Sequence, residues 1–311
     1  MTALRVVAPG FLTTVQDLGR RGHAAAGVSA SGAADPLALR IGNRLLGNGD
    51  GAPGLEMTML GGSFRFEADA LFALAGADPG ARLNDRLVAP WTPYPARAGD
   101  TLACGALRGG ARAYLCVRGG IAVPLVFASA STHLLTAMGG FEGRALRAGD
   151  RLLLGTPGEG APFARAVDPS DLPGYRVGAP FRATEGPQAS WFASEVQARF
   201  YDTPWQIAEA CDRMGIRLSG PSIHLAIPRE LATEGVLSGA IQIPPGGLPI
   251  VLFVEHHTTG GYPKLANVIA ADLARLGGLR PRDTVRFERI SLADARVIFR
   301  AQEEALDALF V

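Results

Sequence analysis

Short apolar runs broken by Gly, Pro, Asp and Asn set the pattern of this chain. Leu4–Ala8, Phe64–Glu67, Leu71–Ala75, Thr101–Ala103, Arg112–Val117, Arg151–Leu154, Ile216–Leu218, Ala240–Ile243, Ile250–Val254 and Thr284–Glu288 read as strands. They lie too close together for regular βαβ units, so the expected fold is mainly β with a few helices. One turn-to-strand phrase recurs at Arg97–Leu102, Arg147–Leu152 and Arg280–Val285: a turn delivers an Asp and then an apolar strand. Related barrel edges would produce such a recurrence. Helical spacing appears in three places. Asp35-Pro36 reads as an N-cap with Pro at the first helical position, Leu37, Ile41 and Leu45 share a face, and Gly47 stops the helix. Leu265–Leu276 reads as a helix that begins beside Lys264. Leu292–Phe310 reads as an amphipathic helix after Ser291, with Asp294 at the capping-box position. Its Ile298, Phe299, Leu306 and Leu309 turn to one side, to pack on the last barrel or to meet a partner. The Pro-, Gly- and Asp-rich Gly158–Asp171 segment divides an N-terminal β-rich lobe, 1–160, from a C-terminal lobe, 161–311.

At 311 residues the chain is long enough for a sizeable core, and 48% hydrophobic against 19% charged residues describes a globular protein. A formal charge of +1 with no long single-sign run gives no reason to expect a nucleic-acid partner. No run of about 18 apolar residues and no basic start followed by an apolar core occurs, so no membrane span and a cytoplasmic location are expected. Cys104, Cys116 and Cys211 are scattered and odd in number, which suits a reducing compartment and offers no C-x-x-C metal site.

Lys264 is the one lysine among 30 Lys and Arg positions. Lys is a compact cation whose amine can lose its proton on burial, whereas Arg is a planar fork that stays charged. A site needing the former keeps Lys, although a surface position can keep it by accident. Lys264 closes the stretch Thr258-Thr259-Gly260-Gly261-Tyr262-Pro263, and Glu255-His256-His257 leads into it. Adjacent histidines on a strand face opposite ways, so one metal cannot readily take both; no metal site is expected, and one of the pair suits proton transfer. Glu234-Gly235 and Ala240-Ile241-Gln242 add polar groups to the same lobe. In the N-terminal lobe, Gln16-Asp17 with Arg20 and the Ser31–Asp35 stretch read as a glycine-rich loop running into a helix start, a place for an anion or simply a capped surface loop. Glu56 and Asp78 each interrupt apolar surroundings and need a partner, with Arg20 and Arg144 as candidates. Neither G-x-x-x-x-G-K-[ST] nor G-x-G-x-x-G occurs where a strand would feed it, so this chain is not expected to bind ATP by those motifs. A G-x-S-x-G elbow is also absent.

The stretches Thr14–Gly22, Ser31–Asp35, Gly119–Pro124, Gly139–Asp150, Gly186–Gln188, Asp212–Gly220, Glu234–Gln242 and Thr258–Asp272 resemble, in order, those of the KipA or allophanate-hydrolase-subunit-2 family. The resemblance implies cyclophilin-like β-barrels in two lobes and a cleft where the Gly/Asp/Arg loops meet. It also implies two kinds of partner, one KipI-like and the other LamB/YcsF-like. The implied activity is that of the third component, the C subunit, of an ATP-dependent 5-oxoprolinase, whose assembly uses ATP to open a lactam and give glutamate. One alternative is a carboxyltransferase component served by carboxybiotin on another protein; another is a regulatory binding protein for a KipI-like kinase inhibitor. On this reading Lys264, Tyr262 and His257 are catalytic candidates. Gln16, Asp17, Arg20, Ser31, Asp35, Glu56, Asp78, Arg144, Glu234, Gln242, Gly260 and Gly261 are candidates to line the substrate. The chain departs from the family pattern at Glu255-His256-His257, where Asp-x-Gln is usual, at Ala130, where Arg is usual, and at Gly277-Gly278, where Ala-Gln is usual.

Overall fold

The computed structural model describes residues 2–168 and 178–310. The chain is mostly β, and among the described residues it has four α-helices. It divides into two compact units, one of Met1–Arg21, Ser31–Pro169 and Leu309–Val311, the other of Gly22–Ala30 and Ser170–Ala308. Part of the Gly158–Asp171 boundary segment lies outside the described residues.

The first unit contains β1 (Ala3–Ala8), β2 (Leu12–Gln16), α1 (Pro36–Leu45), β3 (Gly54–Thr58), β4 (Ser63–Phe66), β5 (Ala70–Asp78), β6 (Arg82–Leu83) and β7 (Arg86–Leu87). It continues with β8 (Pro93–Ala96), β9 (Thr101–Ala103), β10 (Arg108–Val117), β11 (Ile121–Ala122) and β12 (Arg151–Leu154). These strands form a seven-stranded sheet, β11-β12-β1-β4-β9-β6-β7, and a five-stranded sheet, β2-β3-β10-β5-β8. Alternating residues from both, including Leu4, Val6, Phe64 and Phe66 from the first and Val15, Leu55, Met57, Phe72 and Leu115 from the second, make one core. Helix α1 starts as its sequence predicts: the Asp35 carboxylate accepts the Ala38 N–H at 2.9 Å, and Pro36 stands in the first turn. It lies against β5 and β10, and a Cβ at Gly42 would come within 2.7 Å of Cys116 Sγ, so glycine permits that approach.

The second unit contains β13 (Phe181–Glu185), α2 (Ser194–Asp202), β14 (Trp205–Ile207), β15 (Gly215–Ser219), β16 (Glu234–Gly235), β17 (Ala240–Gln242) and β18 (Ile250–Leu252). It ends with β19 (Thr259–Gly260), β20 (Lys264–Val268), α3 (Ala270–Leu276), β21 (Thr284–Val285), β22 (Phe287–Arg289) and α4 (Leu292–Ala308). The main sheet runs β21-β14-β15-β18-β17-β20-β13-β22. Its two edges, β21 and β22, are consecutive in sequence with only Arg286 between them. One bent strand therefore serves both edges and nearly closes the sheet into a barrel, which leaves little exposed edge. The expected single strand Thr284–Glu288 is this split pair. A small ribbon, β16-β19, stands apart from the barrel sheet.

One expected helix is corrected. Lys264–Val268 is a strand, and the helix starts only at Ala270. The strand lies between β17 and β13, so Lys264, Leu265, Ala266 and Val268 are all buried, and a nearly continuous buried run resembles a buried helix by periodicity alone. Helix α2 adds to the three helices that the spacing predicts. The recurring turn is one construction three times: Asp100, Asp150 and Asp283 accept the N–H of Arg97 (2.8 Å), Arg147 (2.7 Å) and Arg280 (2.8 Å). The residue before each Asp has positive φ, at 94° for Gly99, 93° for Gly149 and 74° for Arg282.

Candidate functional site

Most of the candidate residues gather within one unit or the other, while Asp78 and Arg144 stand apart from the rest. In the second unit Lys264 opens β20 opposite Gln242 on β17, beside a register shift between Ile241 and Gln242. Its side chain is only 5% exposed and ends in an ion pair with Glu234, on β16. Glu234 Oε1 also accepts Gln188 Nε2 at 2.9 Å. Gln188 in turn clasps the Lys264 backbone: its Oε1 accepts the Lys264 N–H at 3.1 Å, and its own N–H donates to the Lys264 carbonyl at 3.2 Å. Gly186 makes this fit, since a Cβ there would come within 2.3 Å of the Lys264 oxygen. The hydrogen bond from Lys264, and then that from Gln188, hold the Glu234 carboxyl below its ordinary range.

Beside this ion pair is an unsatisfied donor. Gln242 is 1% exposed, and its Nε2 has no acceptor among the described residues. A Cβ at Gly260 would lie 2.7 Å from Gln242 Nε2 and 2.9 Å from His257 Nε2, so both nitrogens converge over the bare face of Gly260. β16 and β19 bring Glu234 opposite Gly260 in register. Leaving a buried amide hydrogen unpaired carries a desolvation cost of about 1–3 kcal/mol, which a ligand oxygen would relieve. Next to His257, His256 Nδ1 lies 2.6 Å from the His257 carbonyl, and burial pushes the His256 pKa down. Glu255 is buried in an ion pair with Arg213. Tyr262 is 44% exposed.

In the first unit Gln16, Asp17, Arg20 and Ser31 converge on the segment 126–132. Asp17 accepts the Gly19 N–H (2.8 Å), Ser129 Oγ (2.7 Å), Ser131 Oγ (2.5 Å) and the Ala130 N–H (2.6 Å). Four donors on one buried carboxylate make a structural knot. The Arg20 guanidinium donates to the carbonyls of Ser131 and Val126. Gln16, at the end of β2 rather than in the expected loop, donates from Nε2 to Thr14 Oγ1 (3.0 Å) and the Thr132 carbonyl (3.1 Å), and its buried Oε1 has no donor among the described residues. Ser31 Oγ donates to the same Thr132 carbonyl at 2.8 Å.

Glu56 takes partners other than the two arginines expected. Tyr114 Oη donates to it at 2.7 Å, the Ala34 N–H at 2.8 Å, and Arg112 Nε stands 3.7 Å away. Tyr114 Oη accepts the Asp35 N–H at 2.8 Å, joining Glu56 to the α1 cap. Burial first, and the charge of Glu56 next, raise the Tyr114 pKa well above that of a free phenol. Asp78 pairs instead with Arg108 at 2.8 Å on an exposed surface, and Arg144 with Asp150 (2.8 Å) and Glu142 (2.7 Å) in a turn. Neither shares a partner with the other candidates. Gln188 is the residue that sequence reasoning passes over as a site: it stands inside the matching Gly186–Gln188 stretch, and that is its one signal. Tyr114 gives none, since it lies in an apolar strand.

The chain matches the family described as carboxyltransferase domain, subdomain A and B, over residues 26–289. It is 40% identical to the 5-oxoprolinase C subunit of Escherichia coli (strain K12) over 308 residues, covering 98% of this chain and 97% of that one. It is 37% identical to the 5-oxoprolinase C subunit of Haemophilus influenzae, covering 95% and 94%. Among solved structures it superimposes on the K. lactis urea amidolyase with a TM-score of 0.92 at 32% identity, covering 99% of this chain and 20% of that one.

Proposed function

The chain belongs to the carboxyltransferase domain family, subdomains A and B, and from that membership we propose that it is the C subunit of an ATP-dependent 5-oxoprolinase. The carrying observation is the end-to-end match to two proteins of that name, at 98% and 95% of this chain and 97% and 94% of theirs. In this reading a cytoplasmic complex with KipI-like and LamB/YcsF-like subunits uses ATP to open 5-oxoproline to L-glutamate. In this reading the chain has two lobes, 1–160 and 161–311, and the nearly closed eight-stranded sheet supports reading the C-terminal one as a cyclophilin-like barrel.

The Lys264 group suits that chemistry. When an amide opens, negative charge develops on its oxygen, and fixed donors aimed at that oxygen lower the barrier. Lys264 supplies a compact cation held by Glu234 and Gln188. Gln242 Nε2 supplies a donor with His257 Nε2 close by, and the missing Cβ of Gly260 lets both side chains pack against its backbone. Gly261 continues the bare backbone and Tyr262, partly exposed, orients the substrate. The Asp17–Arg20 knot, with Gln16 and Ser31, and the Asp35–Tyr114–Glu56 chain set the shape of substrate-facing loops in the first unit. Asp78 and Arg144, tied into ion pairs of their own, have structural roles. A second reading, transfer of a carboxyl group from carboxybiotin on a partner, is favoured by the close superposition on urea amidolyase.

Reconstitution decides between them. Glutamate and phosphate released together from 5-oxoproline and ATP support the first reading; turnover that depends on a biotinylated carrier supports the second. Within an active complex, Lys264→Arg is expected to lower kcat/KM by about 10², the scale for displacing a well-placed group by about 1 Å. Wild-type turnover in that variant would remove Lys264 from the mechanism.

A further inference from the structure

None of that chemistry uses α4. The helix begins with the expected capping box, Asp294 N–H to Ser291 Oγ at 3.1 Å and Ser291 Oγ to Asp294 at 2.6 Å. It then buries only Ala295, Gln302 and Leu306. Phe299, which the sequence places on the core side, is instead 40% exposed, and Leu292 is 60% exposed. These two side chains, with Ile269, Ala270 and Ala295, line an apolar cavity of about 300 Å³. Arg296 and Arg300 stand on the same wall, one helical turn apart.

The arginines are the telling part. Elsewhere in this unit Arg182 pairs with Asp272, Arg213 with Glu255, Arg282 with Glu209 and Arg289 with Glu185, while among the described residues Arg217 and Arg229 make no ion pair. The Arg296 and Arg300 side chains are exposed and, among the described residues, make no hydrogen bond or ion pair. Like charges one turn apart repel and weaken a helix. An apolar slot with two guanidiniums outside any direct ion pair on its wall is complementary to a segment that is apolar on one side and acidic beside it.

We propose that this groove receives an amphipathic segment of another protein chain, with apolar side chains against Leu292 and Phe299 and carboxylates on Arg296 and Arg300. The identity of that chain as a 5-oxoprolinase component rests on the function proposed above; the chemistry of the groove does not. The test titrates wild-type, R296E/R300E and F299A chains into the KipI-like and LamB/YcsF-like subunits, with circular dichroism confirming that each variant folds. A photo-crosslinker at Leu292 maps the contact. The expected result is a Kd raised about tenfold or more in R296E/R300E and by a similar factor in F299A. Affinity should fall with salt for the wild type and less so for the double variant, and the crosslink should land on an acidic segment of one of those partners. Affinities within twofold of wild type would overturn the proposal. So would a crosslink onto a second copy of this chain, saturable binding of dodecanoate lost in the variants while affinity for the partners stays unchanged, or no association of the wild type with those partners. If the wild-type complex assembles and releases no glutamate while R296E/R300E fails to assemble, the docking surface stands and the proposed activity falls.

Discussion

Gln242 is a buried donor with nothing to donate to among the described residues, and that makes its contribution to folding and its contribution to function opposite in sign. Gln242→Leu removes a buried donor that lacks an acceptor, so the folded chain should gain about 1 kcal/mol. If Nε2 holds a substrate oxygen, the same change should lower kcat/KM at least about tenfold in the reconstituted complex. Urea denaturation and steady-state kinetics read the two effects separately, and a variant that is less stable with unchanged kinetics would remove Gln242 from the site. Glu234 gives a second residue-scale expectation through pH. Its folded pKa lies below the ordinary 4.5 because Lys264, then Gln188, hydrogen-bonds the carboxylate. A depressed carboxylate pKa contributes stability that is complete above the unfolded value and is lost as pH falls through the folded one. Glu234→Gln should therefore be less stable than wild type near neutral pH, since it leaves the Lys264 ammonium without its counter-charge. The gap between the two urea midpoints should close as pH is lowered below 4.5; a constant gap would show that the ion pair contributes nothing. The Lys264 cation is legible in the sequence as a compositional oddity within a long motif. Its clasp by Gln188 is not, because a separation of 76 positions hides a contact made only when β20 passes the Gly186–Gln188 turn.

At the scale of elements, the legible features are those whose cause is local. The Asp35-Pro36 cap, the Ser291–Asp294 capping box and the Gly47 stop, with φ of +67°, depend on residues within a turn of one another. The Lys264–Val268 strand is not legible, because its neighbours in the sheet, from β13 and β17, lie far away in sequence. Apolar spacing there fits a buried strand as well as a helix, and sheet context decides. The thrice-used Asp turn offers a test of local cause. Gly99 and Gly149 have open space around the missing Cβ, so substitution meets no clash and reports backbone strain alone. Gly99→Ala and Gly149→Ala should each cost about 1–2 kcal/mol because alanine is strained at positive φ. Arg282 occupies the equivalent place in the third copy, at φ 74°, and its ion pair with Glu209 is 81% and 65% exposed. Such a pair contributes little. Arg282→Gly should therefore stabilise by about 0.5–1 kcal/mol, the left-handed strain relieved less the entropy glycine brings. Thermal melts of the three variants check the set, and a destabilised Arg282→Gly would mean that the turns differ in what holds them.

The largest architectural consequence lies in how the second unit closes its barrel sheet. β21 pairs antiparallel with β14, while β22 pairs parallel with β13, and one residue joins β21 to β22. A single strand thus satisfies two edges that would otherwise present open backbone to solvent. Phe287 anchors that strand: it is 4% exposed, its ring stacks on Phe200 with centroids 5.0 Å apart, and Phe181 lies 6.2 Å away. Trp205, fully buried, faces Val285 in the β14 pairing and packs on Phe200 at 5.7 Å, so both edges share one aromatic cluster. Phe287→Ala leaves a cavity in that cluster and should cost about 3–5 kcal/mol. The distribution of the loss is the sharper expectation. If the strand closes the sheet as one piece, hydrogen exchange should quicken together at Phe181–Glu185 and Trp205–Ile207, although those strands are not neighbours in the sheet. Central strands such as Gly215–Ser219 and Ala240–Gln242 keep pairing on both sides and should exchange more slowly than either edge. Faster exchange confined to Phe181–Glu185, with Trp205–Ile207 as in the wild type, would mean that the two halves of the strand hold their edges independently and that the barrel does not close through them.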